Sequence, residues 1–216
     1  MAALGPGAGL AAKASVIGVL LMIMAGVGWW WGGARTDFET GVGWTLDQPV
    51  PFSHEHHVAG LGIDCRFCHS GVEHSADAGI PPTYTCMTCH SQVWTNAAIL
   101  EPVRASFAQN KPIRWNRVVD LPDYVYFNHS IHISKGVGCA SCHGEVDRLP
   151  LMAKQKPFTM QFCLDCHRDP GPTLRPRSAV FDLHWKREST TPSAQQMLDF
   201  YHIGGRKLTD CTICHR

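Results

Sequence analysis

All ten cysteines of this 216-residue chain lie in one recurring pattern, in which a CxxC motif is followed at once by a histidine. The pattern occurs five times, as CRFCH (65–69), CMTCH (86–90), CASCH (139–143), CLDCH (163–167) and CTICH (211–215). A CxxCH box is typical of c-type haem attachment, in which both thiols bond to the porphyrin and the histidine binds iron. A zinc site or a redox dithiol could explain a single CxxC, but five complete boxes with no cysteine left over favour haem.

The five boxes predict five covalently bound haem c groups. The predicted attachment residues are Cys65, Cys68, Cys86, Cys89, Cys139, Cys142, Cys163, Cys166, Cys211 and Cys214. The predicted proximal iron ligands are His69, His90, His143, His167 and His215. Because haem is attached outside the cytoplasm, the haem domain is expected on the periplasmic side of the cytoplasmic membrane. Since each haem adds two propionates, the holoprotein should be more acidic than its formal charge of +1 indicates.

Eight histidines outside the boxes are available for the second axial position of each iron. A Phe-x-His-x-x-His pattern occurs at 52–57 and again at 127–132, each time followed by a Gly-containing turn and two boxes. This repeat predicts four distal ligands, namely His54, His57, His129 and His132. Two histidines three residues apart on a helical turn lie on neighbouring faces, so they cannot both bind one iron that already has a proximal ligand. One member of each pair should serve the nearest haem of its unit, and the other a different haem or none.

The fifth distal ligand has several candidates. Met160 leads, followed by His184, His202 and then Met152. Ordinary packing is the alternative for either methionine. A methionine-ligated haem would have a higher reduction potential than its bis-histidine neighbours. The remaining histidines, His56 and His74, are expected to be solvated or hydrogen-bonded.

The elements that must position these boxes are expected to be short. Residues 35–216 provide roughly 36 residues per haem, too few for an ordinary apolar core around each cofactor. We therefore predict a multihaem cytochrome c fold, mainly short α-helices and loops wrapped around five haems. The resemblance of the histidine pattern to class III multihaem cytochromes implies that this fold is class III-like. The predicted parts are a first dihaem unit (35–94), a connecting segment (95–126), a second dihaem unit (127–170) and a C-terminal segment with the fifth haem (171–216). Short helices are predicted at 101–109 and 195–201, extended chain at 111–126 and irregular chain at 169–180.

One segment near the N-terminus is apolar enough to span a membrane. Residues 14–34 carry no charge between Lys13 and Arg35, and a helix of this length measures about 31 Å. Trp29, Trp30 and Trp31 suit an interfacial aromatic belt. We predict a single-pass anchor with residues 1–13 in the cytoplasm. A cleaved signal peptide is the alternative, although it would normally have a shorter apolar core.

The haem count and the ligand count together indicate the function class. Closely spaced haems conduct electrons when protein side chains such as histidine occupy both axial positions of each iron. Multihaem enzymes instead keep one axial position of an iron free for substrate, often with lysine in place of a box histidine. All five boxes here keep histidine. We therefore predict an electron-transfer subunit that is not an enzyme by itself and has no nucleic-acid partner. The alternative is a membrane-anchored multihaem quinol dehydrogenase, which predicts that quinol reduces the isolated chain.

The Phe-x-His-x-x-His pattern resembles that of small class III multihaem cytochromes. In those proteins the first histidine binds the haem of the next box and the second binds another haem. The resemblance implies that His54 binds the haem of His69 and that His129 binds the haem of His143. It also implies that His57 and His132 reach other haems and hold them together, without indicating which ones.

Most of the chain after the apolar segment also resembles one larger family, the pentahaem cytochrome c subunit of alternative complex III, a quinol:electron-acceptor oxidoreductase. The matching stretches occur in order and are QPVPFSHEHHVAGLGIDCRFCHSGVEHSADAGIPPTYTCMTCH (48–90), WNRVVDLPDYVYFNHSIHISKGVGCASCHG (115–144), TMQFCLDCHRDP (159–170) and LTDCTICHR (208–216). One departure is Gln161-Phe162, where family members often have Gly-Trp. It concerns packing around the fourth haem rather than ligation.

This resemblance implies a set of partners. Quinol would be oxidised within polytopic membrane subunits, and electrons would pass through an iron–sulfur subunit to this chain. The chain would then deliver them to a monohaem cytochrome c or another periplasmic acceptor. A cytochrome subunit of a related menaquinone reductase complex is the alternative that the same resemblance leaves open.

Overall fold

A computed structural model describes residues 6–204 and 207–215 of the chain. Residues 1–5 of the predicted cytoplasmic segment, and 205, 206 and 216 of the predicted C-terminal segment, lie outside this description. The chain divides into two compact units, of which the first ends at Gly41 and the second begins at Val42.

The first unit is built on one long apolar helix. Helix α1 spans Pro6–Gly33, and α2 is a single turn at Asp37–Thr40. The apolar part, Gly7–Gly33, includes an 18-residue stretch with a mean hydropathy of 2.1, and its length of about 40 Å suffices to cross a bilayer by length and composition. The helix begins earlier than the predicted boundary at residue 14, because alanine and leucine between Gly7 and Lys13 favour helix.

The second unit consists of short helices joined by turns. Its α-helices are α3 (Cys65–Cys68), α4 (Thr83–His90), α5 (Glu101–Gln109), α6 (His129–Ser134), α7 (Cys139–His143), α8 (Met160–Arg168), α9 (Ala194–Phe200) and α10 (Cys211–Cys214). A π-helix lies at Glu55–Gly60, and 3₁₀ turns lie at Ala98–Leu100, Val146–Arg148, Gly171–Thr173 and Arg177–Ala179. Among the described residues, β-pairing is limited to isolated antiparallel bridges such as Val125 with His215. This agrees with the expected helical class.

The two cysteines of every CxxCH box lie on one of these helices. The first, third and fifth boxes start their helices, while α4 and α8 begin three residues before their first cysteine. Two of the starts are capped by side chains, since Asp64 accepts from the Arg66 amide before α3 and Thr159 accepts from the Phe162 amide before α8. Such caps satisfy amides at the helix start that have no intrahelical partner, so these helices begin where the haem boxes require.

The polypeptide buries few apolar side chains. One cluster contains Val50, Leu100 and Val103, and it lies where α4 meets α5. The other contains Leu174, Met197 and Tyr201. With clusters of this size, the chain supplies little apolar core of its own to hold five helical boxes in place.

Two of the predicted short elements agree closely with the structure. Helix α5 has the predicted bounds, and α9 begins and ends one residue earlier than predicted. Residues 111–126 contain no helix, as expected for extended chain.

The prediction of wholly irregular chain at 169–180 was wrong. This segment contains 3₁₀ turns at Gly171–Thr173 and Arg177–Ala179. Prolines 170, 172 and 176 fix φ at values that suit a first helical turn, but they lack the amide hydrogens needed to extend it.

Candidate haem-binding sites

The box histidines are oriented by backbone carbonyls. Nδ1 of four of them lies within hydrogen-bond distance of a carbonyl oxygen: His69 with Gly79 (2.7 Å), His90 with Val93 (3.1 Å), His167 with Leu208 (2.8 Å) and His215 with Tyr124 (3.1 Å). A carbonyl only accepts, so Nδ1 carries the proton and donates, and Nε2 keeps its lone pair. This is the tautomer that a metal requires at Nε2, and the hydrogen bond makes that nitrogen more basic.

The distal histidines of the two repeats share one local geometry. In the first repeat the ring of Phe52 is edge-on to His54 (5.0 Å, 87°) and stacked on His57 (4.4 Å, 26°). In the second repeat Phe127 makes the same two contacts, at 4.7 Å and 86° with the first histidine and at 4.4 Å and 25° with the second. The phenylalanine therefore separates the two imidazoles of each pair and turns them in different directions.

The second histidine of each pair also has the tautomer needed for iron binding. His57 donates from Nδ1 to the carbonyl of Ser53 (2.8 Å), four residues earlier in the chain. His132 makes the equivalent bond to the carbonyl of Asn128 (2.7 Å). In both repeats Nε2 is thus left with its lone pair for a metal.

Three of the predicted distal histidines each lie opposite one box histidine. The ring centroids are 6.4 Å apart for His129 and His143, 6.1 Å for His132 and His167, and 6.2 Å for His57 and His90. An imidazole nitrogen lies about 2 Å from a bound transition metal, so two imidazoles on one metal have centroids roughly 6 Å apart. Each pair therefore has the spacing of two axial ligands on a single iron.

His54 lies in a central group of histidines. Burial, with smaller contributions from the neighbouring His69, His57 and His143, lowers the pKa of His54 to about 4. Its Nδ1 is buried and has no hydrogen-bond partner among the described residues. Because His54 occupies the repeat position of His129, its proximity to His69 is the counterpart of the pairing between His129 and His143.

Two of the paired imidazoles, His143 and His132, have a lowered pKa, which favours the neutral form that iron binding requires. Burial, followed by the nearby His129 and His69, lowers the pKa of His143 to about 4. Burial also lowers the pKa of His132, with a smaller contribution from His167.

The candidates for the fifth distal ligand have different surroundings in the structure. Nε2 of His184 lies 2.6 Å from Asp147 Oδ2, and its Nδ1 lies 3.6 Å from Glu145 Oε1. Because both ring nitrogens face carboxylates, this arrangement disfavours His184 as an iron ligand. Met160 is the first residue of α8 and is 64% exposed, and His202 is exposed with a positive φ of 52°. Met160, His202 and the half-buried Met152 therefore remain the candidates whose donor atoms are not engaged in such a carboxylate pair.

The two histidines assigned no iron behave as ordinary side chains. His56 stacks on Trp94 at 6.1 Å and 21°. His74 is exposed.

Thiols of the first three boxes lie near one another. The pKa of Cys68 is raised by burial and, to a smaller extent, by the thiol of Cys86. The first and second boxes are therefore neighbours. Burial, followed by the thiol of Cys65, raises the pKa of Cys139 to about 11, which makes the first and third boxes neighbours. The first box therefore has both the second and the third box as neighbours.

The thiols of the later boxes also lie near those of neighbouring boxes. Burial, followed by the thiols of Cys166 and Cys163, raises the pKa of Cys142 to about 12, which places the fourth box beside the third. Burial, followed by the thiol of Cys214, raises the pKa of Cys163, which places the fifth box beside the fourth. These thiol proximities join neighbouring boxes pairwise, in the order second, first, third, fourth and fifth.

The residues present fit haem c. Each box offers two thiols on one short helix and a histidine at the end of that helix or directly after it, and three of the boxes have an opposing imidazole at the one-iron spacing. Sequence reasoning predicted these residues but did not predict which boxes His57 and His132 face. It also missed the carbonyls that orient the rings, since backbone atoms leave no residue-type signal.

Comparison with known proteins supports the same class. No protein-family model matches the chain. The chain is 29% identical over 174 residues to the protein named menaquinone reductase, multihaem cytochrome c subunit, of Nitratidesulfovibrio vulgaris (strain Hildenborough). The match covers 78% of this chain and 68% of that protein. The chain is therefore similar to a multihaem cytochrome c, and it has a helical fold with one apolar helix near its N-terminus.

Proposed function

We propose that this chain is a membrane-anchored pentahaem cytochrome c that conducts electrons as a subunit of a quinone oxidoreductase complex. The observation that carries the proposal is the set of three histidine pairs with centroids 6.1 to 6.4 Å apart, each joining a repeat histidine to a box histidine. Haem c, when bound, supplies a one-electron Fe(III)/Fe(II) couple at each box. The chain's own residues close both axial positions and hold the rings.

The proposed ligand sets follow from these pairs. They are His69 with His54, His90 with His57, His143 with His129, and His167 with His132. The fifth box supplies His215, with Met160 or His202 as its partner. In this assignment each Phe-x-His-x-x-His motif holds two different haems, so each motif joins neighbouring redox centres rigidly.

The spatial order of the boxes gives the proposed conductor two ends, the second box and the fifth box. The two motifs reinforce this order, since His54 and His57 link the first and second boxes and His129 and His132 link the third and fourth. Four irons closed by two imidazoles leave no coordination position for a substrate, which favours conduction over catalysis by this chain alone.

The proposed partners come from the resemblance and from the relative. If the chain belongs to an alternative complex III, its partners are an iron–sulfur subunit, polytopic quinol-binding membrane subunits, and a monohaem cytochrome c or other periplasmic acceptor. The similarity to a menaquinone reductase subunit specifically favours the second reading, a cytochrome subunit of a related menaquinone reductase complex. In both, α1 anchors the chain in the cytoplasmic membrane and the haem domain lies on the periplasmic side.

The experiment that tests the proposal is a haem count on the purified, membrane-derived chain. A pyridine haemochrome assay against protein concentration, with a haem-stained denaturing gel, should give five covalent haems per chain. A clearly lower ratio would contradict the pentahaem assignment.

A second assay separates the electron-conducting subunit from a quinol dehydrogenase. Quinol should reduce the haems of the intact complex but not those of the isolated chain. Reduction of the isolated chain at the rate of the complex would favour the quinol dehydrogenase instead.

A further inference from the structure

One short segment contacts both halves of the repeat. Residues 71–79, which we call the strap, connect the first box to the chain leading into α4. The strap is held by its own bonds: the Gly71 amide donates to the Ala78 carbonyl (3.2 Å), and the Gly79 amide donates to Asp77 Oδ1 (2.9 Å). The Asp77 amide in turn donates to Ser75 Oγ (3.3 Å).

The strap accepts hydrogen bonds from two iron-ligand candidates that belong to different boxes. His69, the proximal histidine of the first box, donates from Nδ1 to the carbonyl of Gly79 at 2.7 Å. His129, which faces the third box, donates from Nδ1 to the carbonyl of Ala76 at 2.8 Å. These two carbonyls lie three residues apart on one stretch of backbone, so the orientation of both rings depends on a single loop.

Further bonds attach the strap to the start of α6. The amides of His129 and Ser130 donate to the carbonyls of Ala76 (3.1 Å) and Ser75 (3.1 Å). The strap therefore satisfies amides at the beginning of α6 that have no intrahelical acceptor. It joins the first repeat unit to the helix that carries both distal histidines of the second.

The boxes linked in this way are spatial neighbours. The thiols of Cys65 and Cys139 interact, and His69 contributes to the lowered pKa of His143. The strap therefore bridges the boxes at which the two repeat units meet.

We propose that the strap is a positioning element that sets the reduction potentials of the first and third haems together, through the Nδ1 hydrogen bonds of His69 and His129. This inference rests on the proposed haem ligation. A hydrogen bond from Nδ1–H to a carbonyl gives an imidazole partial imidazolate character, which makes it a stronger donor to ferric iron. An intact strap therefore lowers both potentials, and weakening it raises both.

Gly71 offers the strongest perturbation. A Cβ at this position would lie 2.7 Å from the Asp77 carbonyl oxygen and 3.3 Å from that of Ala78, so Gly71→Ala must displace the strap backbone. In redox titrations of the full-length holoprotein, two of the five haem waves should move to higher potential while three stay in place. The matched control is Gly60→Ala, where the new Cβ would meet only the Glu55 carbonyl oxygen at an ordinary 3.6 Å.

Asp77 gives a milder test that separates charge from hydrogen bonding. Asp77→Asn removes the negative charge but keeps an oxygen for the Gly79 amide, whereas Asp77→Ala removes both. The loss of charge raises nearby potentials equally in the two variants. Asp77→Ala should therefore show a further rise, confined to the same two haems, which Asp77→Asn lacks.

The possible outcomes distinguish this inference from the proposed function. The strap proposal is supported if the protein carries five haems, if two waves move in Gly71→Ala, and if Asp77→Ala moves the same two waves further than Asp77→Asn does. Five haems with unchanged titrations in Asp77→Ala relative to Asp77→Asn overturn it and leave the electron-conducting role intact. If wild-type protein carries fewer than five haems, the proposed function fails before the strap is tested.

Discussion

The two repeat units follow the same sequence plan but realise it on different backbones. In the first unit His57 lies on the π-helix Glu55–Gly60, preceded by His54, whereas in the second both histidines lie on α6, an ordinary α-helix. Seven residues separate His57 from the first box, but six separate His132 from the third. A π-turn accommodates one extra residue in a helix, so the difference in backbone follows from this difference in length.

The extra residue leaves some contacts unchanged and alters others. The phenylalanine contacts and the Nδ1 bonds of the second histidines are nearly identical in the two units. The angle between the paired rings differs: 65° for His57 and His90, but 34° for His132 and His167. The motif therefore leaves the same ring nitrogens free for a metal in both units, whereas the relative orientation of the paired rings differs together with the turn that follows the motif.

The largest expected effect is the loss of a distal ligand. His57→Ala and His132→Ala should each convert one low-spin haem to high-spin or water-bound haem, because no second imidazole then closes that iron. Electron paramagnetic resonance (EPR) and magnetic circular dichroism should detect one such haem per variant. The control His56→Ala removes a histidine that stacks on Trp94 and should leave all haems low-spin. If the His132→Ala protein remains fully low-spin, His132 is not a distal ligand and the two repeat units are not equivalent.

A second prediction concerns the spectra of the wild-type protein. Near-parallel imidazoles split the iron dπ orbitals and give a rhombic EPR signal, whereas strongly crossed rings leave these orbitals nearly degenerate and give a large maximum g value. His129 and His143 are 9° apart, so they should give the rhombic signal, and the pair of His57 and His90 should give the large-g signal. His57→Ala should therefore abolish the large-g signal alone; loss of the rhombic signal instead would contradict the assignment.

A subtler change tests whether the π-helix causes the ring angle. Deleting Ala59 gives the first unit the six-residue spacing of the second, and should convert the π-turn to an α-turn. The large-g signal should then move toward that of the fourth haem while the haem count stays at five. Inserting one alanine after Ile133 is the reciprocal variant and should move the fourth-haem signal the other way. If neither signal moves, the ring angle does not depend on spacing.

The smallest expected effect concerns the cap of α6. The Asn128 side chain accepts from the Ile131 amide (3.3 Å) and from the Ser130 hydroxyl (2.7 Å). Asn128→Ala should lower the free energy of unfolding by about 1 kcal/mol, the typical cost of losing such a cap. Denaturant titration of the holoprotein measures this change. Asn128→Asp, which keeps a capping oxygen, should stay close to wild type, and a loss as large as that of the alanine variant would exclude capping as the cause.

The sequence predicted the parts of the site that depend on local spacing. The CxxCH boxes, the paired histidines and the helix at Glu101–Gln109 are all local patterns, and the structure places the two cysteines of each box on a helix. The π-turn had a visible cause in the unequal spacers, but a one-residue difference can equally be absorbed by a loop.

The remaining features depend on contacts between distant residues. The pairing of His132 with His167 spans 35 positions, and the bond from His129 to Ala76 spans 53. The acceptor at Ala76 is a backbone atom that any residue would supply. His184 was a reasonable ligand candidate until the structure placed it against Asp147, a carboxylate that is only 7% exposed.

In the proposed ligation each Phe-x-His-x-x-His motif binds two different haems. A density map of the purified complex, at a resolution that defines imidazole rings, is the most direct test. The map should show iron between His57 and His90 and between His132 and His167, in a molecule with five haems. Iron bound by His54 and His57 together, or His132 directed to solvent, would contradict this ligation.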